Sequence, residues 1–137
     1  MSLVLDASMA IAWLFEDERT ETAHAVLARV LAEGAVVPSL WRLEVANVLR
    51  NAERRGRCDT AYVDRSFSRL GRLPITVDGE TDDHAWGLSM ALAREHSLTL
   101  YDAAYLELAL RLGRPLASSD AALAAAALRS GVTVLSV

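Results

Sequence analysis

Four acidic residues stand where an apolar segment meets a turn: Asp6, Glu44, Asp102 and Asp120. A carboxylate that is buried without a positive partner is penalised by desolvation, and neighbouring carboxylates repel one another. A convergent set of carboxylates is therefore suited to holding a divalent cation, and oxygen ligands favour Mg²⁺ or Mn²⁺ over zinc. One such ion could activate water for in-line attack on a phosphodiester, and a second, about 3.5–4 Å away, could stabilise the leaving oxygen.

Each of these acids also has a purely structural explanation. Asp102 and Asp120 precede alanine-rich helical segments, where an aspartate commonly caps the helix. Asp6 could cap a helix in the same way, and Glu44 could be an exposed helix residue. Helical spacing nevertheless puts Asn47 on nearly the same face as Glu44, so that a carboxylate and an amide lie side by side. The metal-site hypothesis therefore depends on whether the fold brings all four acids together.

Apolar runs and turn residues predict the elements that would have to position these acids. Five short strands are predicted, at residues 3–5, 35–37, 73–77, 115–117 and 132–137. Seven helices are predicted, at residues 8–15, 19–33, 40–55, 60–70, 82–96, 103–112 and 121–129. Ser8, Ser39 and Thr81 are expected to cap the helices at whose starts they lie.

Strands that alternate with single helices or helix pairs predict an α/β fold with a mostly parallel sheet and right-handed crossovers. Ligand sites in such sheets lie beyond the carboxyl ends of the strands. Asp6 and Asp120 follow strands at that edge, while Glu44 and Asp102 lie in the first turns of helices that could begin above it. All four acids can thus share one crevice. No repeat, linker or change in composition divides the chain, so residues 1–137 are predicted to form a single domain.

The composition excludes several classes of protein. All 14 basic residues are arginine, and the chain has no lysine. P-loop phosphate binding, Schiff-base catalysis and phospho-accepting receiver domains all rely on a lysine. A net charge of −4 argues against a protein that coats nucleic acid by bulk electrostatics, although it leaves local arginine patches open. Cys58 is the only cysteine, so neither an intrachain disulfide nor a cysteine-based zinc site is expected.

The cellular location is indicated by the N-terminal segment and by the length of the apolar runs. The N-terminal segment carries neither a basic leader nor a long apolar stretch followed by a cleavage site. Uninterrupted apolar runs stay far short of the about 20 residues that a membrane helix needs. Together with the single cysteine, these features predict a cytoplasmic protein that has no membrane contact.

Four segments carry a resemblance to a known family. They are Leu-Val-Leu-Asp-Ala-Ser at residues 3–8, Glu44 followed by Asn47, Leu-Tyr-Asp-Ala-Ala-Tyr at residues 100–105, and Leu-Ala-Ser-Ser-Asp at residues 116–120. In order and spacing, along the whole chain, they resemble the PIN domain family, specifically its VapC-like toxin ribonucleases. The Tyr-Asp-Ala-x-Tyr segment is fairly specific, whereas a strand that ends in aspartate is weak by itself.

The resemblance implies a three-layer α/β/α fold and an endoribonuclease activity that depends on Mg²⁺ or Mn²⁺. It also implies an antitoxin that blocks the site, and a homodimer. Ser118 stands where the family more often has threonine, and it keeps the hydroxyl group. By this likeness, the catalytic and metal-binding acids are Asp6, Glu44, Asp102 and Asp120, and the supporting polar residues are Ser8, Asn47 and Ser118.

An arginine cluster follows Glu44 and Asn47 on the same predicted helix. Arg50, Arg54 and Arg55 could contact RNA phosphates, which arginine binds bidentately. The charges could equally serve to keep a helical hairpin soluble, or they could contact the antitoxin.

Other functions remain open at this point. The chain could be a catalytically inactive PIN-like module that binds RNA or protein, or a housekeeping PIN nuclease without an antitoxin. A phosphatase of the haloacid dehalogenase type also places an aspartate after its first strand. That class needs a second aspartate two residues later and a catalytic lysine, whereas this chain has Ser8 and no lysine.

Overall fold

A parallel sheet forms the centre of the computed structural model, which describes residues 2–135. The strands in those residues are β1 (Leu3–Leu5), β2 (Ala35–Val37), β3 (Ile75–Val77), β4 (Leu116–Ala117) and β5 (Val134–Leu135). They lie in the order β3-β2-β1-β4-β5, and every neighbouring pair is parallel. The predicted α/β class, with a mostly parallel sheet of four or five strands, is therefore confirmed.

The middle strand β1 is an uninterrupted apolar run. Leu3, Val4 and Leu5 are completely buried, as expected for a parallel strand that is covered on both faces. Val4 pairs with Val36 on one side and with Leu116 on the other. Because β1 ends at Leu5, the next residue leaves the sheet at its carboxyl edge.

The last strand begins two residues later than predicted. Within the predicted range 132–137, β5 covers Val134–Leu135. The final part of that prediction, residues 136 and 137, lies outside the described residues.

Helices cover both faces of the sheet and complete the expected three layers. Within residues 2–135 they are α1 (Ala7–Ala12), α2 (Glu21–Glu33), α3 (Trp41–Arg54), α4 (Thr60–Gly71), α5 (Leu88–His96), α6 (Leu100–Leu112) and α7 (Ala121–Arg129). Right-handed crossovers put α1 to α4 on one face and α5 to α7 on the other, because the chain reverses its direction across the sheet after β3. Contacts agree, since α3 packs on α1 and α4, while α6 packs on α5 and α7. None of these helices is long and apolar enough to cross a bilayer.

The reversal of strand order lies between β1 and β4. From β1 the chain moves outward to β2 and β3, and then it returns to the other side of β1 to form β4 and β5. The loops that leave β1 and β4 therefore diverge to opposite faces and open a crevice at the carboxyl edge. Asp6 directly follows β1 and Ser118 directly follows β4.

The helix predicted at residues 82–96 is wrong at its start. Asp82–His84 form a separate 3₁₀ turn, and α5 begins only at Leu88. Thr81 does not cap a helix, because its hydroxyl donates to Asp78 at 2.8 Å and accepts from the backbone N–H of Ser39 at 3.1 Å. Thr81 instead ties the loop after β3 to the start of α3.

The other two predicted serine caps are also wrong. Ser8 lies inside the first turn of α1, whose N-cap position is held by Asp6. Ser39 precedes Leu40, which holds the N-cap position of α3. Both serines instead make hydrogen bonds to residues outside their own helices.

Helix α6 begins three residues earlier than predicted. The side chain of Thr99 caps it by accepting a hydrogen bond from the backbone N–H of Asp102 at 3.1 Å. Asp102 therefore lies within the first turn of the helix, and not directly before it.

Candidate active site

The fold brings the four acids to the same edge of the sheet. Asp6 and Asp120 hold the N-cap positions of α1 and α7, directly after the loops that leave β1 and β4. Glu44 and Asp102 lie in the first turns of α3 and α6. Their negative charges act on one another: Asp6 and Asp102 both act on Glu44, and Asp120 acts on both Asp6 and Asp102.

Asp6 is the most buried of the four, with 5% of its surface exposed. Its Oδ2 accepts hydrogen bonds from the hydroxyls of Ser8 and Ser118, each at 2.7 Å. Burial raises the pKa of Asp6, the two serine hydrogen bonds oppose that rise, and the charge of Asp120 adds to it. The carboxyl group is thus held in place although its ionised form is disfavoured.

The same two serines join the ends of β1 and β4. The backbone N–H of Ser119 donates to the hydroxyl of Ser8 at 3.1 Å, and that of Asp120 donates to the hydroxyl of Ser118 at 3.0 Å. Each serine hydroxyl therefore accepts a hydrogen bond from a backbone N–H of the loop after β4 while it donates one to Asp6. These bonds fix the loop after β4 against the loop after β1.

Asp120 caps a helix, as its structural explanation requires. Its Oδ1 accepts a hydrogen bond from the backbone N–H of Leu123 at 3.0 Å. This bond uses one of the two carboxylate oxygens, so it is compatible with a second role. Capping and membership of the acidic cluster therefore coexist in Asp120.

Glu44 reaches the cluster from α3 and meets Tyr105 of α6. The hydroxyl of Tyr105 donates a hydrogen bond to Oε1 of Glu44. Burial raises the pKa of Glu44, the bond from Tyr105 opposes the rise, and the charges of Asp6 and Asp102 add to it. Burial and the charge of Asp6 also raise the pKa of Tyr105, so its hydroxyl stays protonated and acts as a donor.

Asp102 shows the same electrostatic pattern. Burial raises the pKa of Asp102, the charges of Asp120 and Asp6 raise it further, and hydrogen bonding with Thr99 opposes the rise. Among residues 2–135, no basic side chain is a main contributor to the pKa of Asp6, Glu44 or Asp102. The cluster therefore gathers negative charge without a cation from the protein.

The donor set suits a hard divalent cation in its chemistry, because it consists of carboxylate and hydroxyl oxygens. The side chains are not gathered around one point, however. Within residues 2–135, no group of three or more His, Cys, Asp or Glu side chains is arranged so that it could hold a metal ion. Since carboxylates repel one another, a metal-free cluster is expected to be spread apart, and a bound cation would draw the carboxylates together.

Comparison with known proteins places this fold and site in a family. A family model described as the PIN domain matches residues 3–136. The chain belongs to the PIN domain family.

Relatives and solved structures agree with this membership. A protein called Ribonuclease VapC3 from Mycobacterium tuberculosis is 32% identical over 124 residues, which cover 90% of this chain and 86% of the relative. A Ribonuclease VapC3 from Pyrobaculum aerophilum is also 32% identical over 124 residues, which cover 90% of this chain and 93% of the relative.

Two solved structures share the fold. The crystal structure of PAE2754 from Pyrobaculum aerophilum matches with a TM-score of 0.70 and 25% identity, covering 98% of this chain and 84% of that one. The crystal structure of VapBC2 from Rickettsia felis, bound to a DNA fragment from its promoter, matches with a TM-score of 0.66, covering 100% and 99%. At 10% identity, the second likeness shows the PIN fold alone.

The remaining predicted site residues lie farther along α3 of the PIN fold. Asn47 is exposed one turn after Glu44. Arg50 forms an ion pair with Glu53 at 2.7 Å, while Arg54 and Arg55 are exposed at the end of the helix. Their proposed contact with RNA stays a prediction.

Arg57, the next arginine after this cluster, has a structural role. Its guanidinium group pairs with Asp17 at 2.7 Å and Glu18 at 2.9 Å. It also stacks on the ring of Phe15, 3.8 Å from the ring centre. Arg57 therefore fastens the α3–α4 hairpin to the turn that follows α1.

A groove elsewhere in this PIN domain does not coincide with the acids. It has a volume of about 330 Å³ between α3, α4 and β3, and its lining includes Trp41, Phe67 and Ile75. None of the four acids lines it. This groove is therefore a feature separate from the charged site.

Tyr105 is the member of the site that the sequence prediction did not assign. It lies three residues after Asp102 on α6, a spacing that puts the two side chains on one face of a helix. It also ends the Tyr-Asp-Ala-x-Tyr segment that carried the family resemblance. That spacing was the available signal, but its partner Glu44 lies 61 residues away in the sequence.

Proposed function

We propose that this PIN domain is a metal-dependent endoribonuclease that acts as the toxin of a toxin–antitoxin pair. The observation that carries the proposal is the meeting of Asp6, Glu44, Asp102 and Asp120 at the strand-order reversal, where no basic side chain contributes to the pKa of three of them. Such a cluster needs a cation from solution. Two relatives named ribonuclease, each 32% identical over 90% of the chain, support RNA as the substrate.

Asp6, Glu44, Asp102 and Asp120 would hold Mg²⁺ or Mn²⁺. When bound, the ion lowers the pKa of water and offsets charge on the phosphodiester. Ser8 and Ser118 keep Asp6 in one orientation through their 2.7 Å hydrogen bonds. Because Asp120 uses one oxygen as a helix cap, its other oxygen is the one that would face the ion.

The substrate would extend from the acids along α3. Asn47 lies one turn beyond Glu44 and supplies an amide next to the cluster. Arg50, Arg54 and Arg55 lie farther along the same helix, and they would bind RNA phosphates there. Such contacts hold any sequence, so cleavage specificity would have to come from the shape of the RNA.

The proposed partners are a cognate antitoxin and a second copy of this chain. The likeness to the VapBC2 structure, which its title describes as bound to a promoter DNA fragment, supports a search for a neighbouring antitoxin. We also propose the cytoplasm as the place of action, since that is where the RNA substrate would be met.

Cleavage of RNA by the purified protein tests the proposal. We expect cleavage of structured RNA with added Mg²⁺ or Mn²⁺, and none with a chelator. Asp6→Asn and Asp102→Asn should abolish cleavage while the fold persists, and Asp64→Asn, which changes an exposed acid on α4, should leave cleavage unchanged.

Cleavage that persists in a well-folded Asp102→Asn protein would exclude this active site. Binding of Mn²⁺ and RNA without turnover would instead favour a PIN-like binding module. Cleavage by the wild-type chain, together with the absence of an antitoxin gene beside its own, would favour a housekeeping nuclease.

A further inference from the structure

Glu44 is held differently from the other members of the acidic cluster. Asp6 is bound by two serine hydroxyls, and Asp120 is bound by a backbone N–H of α7. Among the contacts of the described residues, Glu44 is bound through its side chain only by the hydroxyl of Tyr105. Its position therefore depends on a single group from the opposite helical layer.

Packing alone does not explain the hydroxyl of Tyr105. The residue is completely buried, and its ring fills space that a phenylalanine would fill equally well. A buried hydroxyl needs a hydrogen-bond partner, and a backbone carbonyl would satisfy it. Here the partner is a carboxylate that is itself costly to bury, so the pair serves the position of Glu44 rather than the core.

We propose that Tyr105 is a positioning residue, which fixes the carboxylate of Glu44 through Oε1 and leaves Oε2 to bind the cation. This inference rests on the proposed function. Carboxylates that bind metal are generally oriented by such hydrogen bonds, and loss of the outer partner typically costs about 10- to 100-fold in metal affinity or activity. Helix α6 thus supplies one acid, Asp102, and also orients another acid that belongs to α3.

Mn²⁺ binding, measured by titration calorimetry on the full chain, tests the inference without relying on turnover. Tyr105→Phe should weaken Mn²⁺ binding about 10- to 100-fold. Tyr101→Phe changes a 64% exposed tyrosine on the same helix and should leave the affinity within about twofold. Tyr62→Phe removes a hydroxyl that donates to the carbonyl of Leu14, so it controls for the loss of a half-buried hydrogen bond away from the site.

A double-mutant cycle separates positioning from a general structural effect. If Tyr105 acts through Glu44, then Tyr105→Phe should cause no further loss of affinity in a Glu44→Gln background. A loss that is equal in both backgrounds, or a wild-type affinity in Tyr105→Phe, would overturn the inference. Glu44→Asp provides a second variant that keeps the ring of Tyr105, and its shorter side chain cannot reach both the hydroxyl and the ion. Unchanged Mn²⁺ affinity in Glu44→Asp would also overturn the inference.

The outcome for the wild-type chain distinguishes this failure from failure of the proposed function. Wild-type protein that binds Mn²⁺, together with an unaffected Tyr105→Phe variant, would refute only the role of Tyr105. Wild-type protein that does not bind Mn²⁺ would refute both.

Discussion

Helix α6 carries two clusters of carboxylates that differ in one respect. Near its start, Asp102 joins the acidic site, where no basic side chain contributes to its pKa. Farther along the helix, Glu107 and Arg111 form an ion pair at 2.7 Å, and Arg111 also pairs with Asp78 at 2.7 Å. The second group, here called the Arg111 cluster, contains its own cation.

The net pKa shifts in the two clusters have opposite directions, although burial raises the carboxyl pKa in both. Burial would raise the pKa of Asp78, but hydrogen bonds from Arg111 and Thr81 and the charge of Arg111 lower it below its usual value. Hydrogen bonds with Glu107 and Asp78 raise the pKa of Arg111. In the acidic site, where no such partner is present, the shifts of Asp6, Glu44 and Asp102 are upward. Arginine thus neutralises the acids of the Arg111 cluster but not those of the acidic site. This contrast is the pattern expected of a site that takes its cation from solution.

Removal of the internal cation should have the largest effect on stability. Arg111→Met would leave Glu107, whose side chain is 1% exposed, and Asp78, at 8%, without their partner. We expect the free energy of unfolding to fall by about 3 kcal/mol, which is the lower end of the range for breaking a buried ion pair. The lower end applies because Glu80, the third acid beside Arg111, is exposed and leaves one side of the cluster open to solvent. Urea unfolding measures the change.

Arg50→Met provides the matched control, because it breaks an exposed pair with Glu53. Surface pairs contribute little, so its unfolding midpoint should stay near that of the wild type. Equal midpoints for the two variants would show that Arg111 does not hold its cluster together.

Addition of an external cation should have the next largest effect, and only in the acidic site. Mn²⁺ at about 100 times its dissociation constant should stabilise the wild type by about 2.7 kcal/mol. Asp102→Asn should lose most of this gain, whereas Asp78→Asn should retain it. Thermal unfolding with and without Mn²⁺ gives the comparison, and an equal gain in Asp102→Asn would place the ion elsewhere.

When metal is absent, removal of one carboxylate should change the free energy of unfolding in opposite directions in the two clusters. Asp102→Asn relieves repulsion from Asp6 and Asp120, and should stabilise the metal-free chain by about 1 kcal/mol, the value of one screened charge pair. Asp78→Asn removes a carboxylate that accepts hydrogen bonds from Arg111, and it should destabilise the metal-free chain. Denaturant unfolding in the presence of a chelator tests both variants. An Asp102→Asn protein that is less stable than the wild type would contradict the prediction that repulsion among the acids destabilises the metal-free chain.

The smallest difference between the acidic site and the Arg111 cluster should be seen in how each contributes to the dependence of stability on pH. Asp6, Glu44 and Asp102 have pKa values above the ordinary 3.8 and 4.5, so the folded chain binds protons more tightly than the unfolded chain. Their contribution should therefore raise the stability of the metal-free protein as the pH falls from neutral to mildly acid values, through their raised pKa values. Asp78 has a lowered pKa, and its contribution is present above 3.8 and is lost as the pH falls below that value.

Unfolding midpoints across this range, in the presence of a chelator, should be flatter for Glu44→Gln than for the wild type. The affinity for Mn²⁺ should fall over the same range, because protons compete for the carboxylates. A wild-type stability that falls steadily from neutral to mildly acid pH, with no change of slope in Glu44→Gln, would contradict the raised pKa values.

Local sequence patterns were sufficient to predict the sheet and the placement of the acids. Within residues 2–135, every strand except β3, which contains Thr76, is a short apolar run next to a turn, and Asp6 follows a strand that is completely buried. The helices carry their apolar residues at helical spacing, so their existence could be read without knowledge of their neighbours. The strand order itself, with its reversal beside β1, came only from the structure.

Contacts between distant residues could not be read in this way. Thr81 was expected to cap a helix, but its partner Ser39 lies 42 residues away. Arg57 pairs with Asp17, 40 residues away, and no local pattern predicts that contact. Glu107 and Arg111 were not singled out at all, because their third partner, Asp78, comes from the loop after β3. In each case the choice of partner is made by tertiary packing.

One of the serine hydrogen bonds that hold Asp6 joins two residues that are synthesised far apart in time. Ser118 and Asp6 are 112 residues apart, and their hydrogen bond closes nearly the whole chain. At about 5–20 residues per second, a ribosome needs on the order of ten seconds to make the intervening segment. Until then a nascent chain lacks the second half of the clamp around Asp6, and any activity that depends on the four acids is silent. During every round of translation there is therefore an interval in which the unfinished molecule cannot assemble the complete acidic cluster.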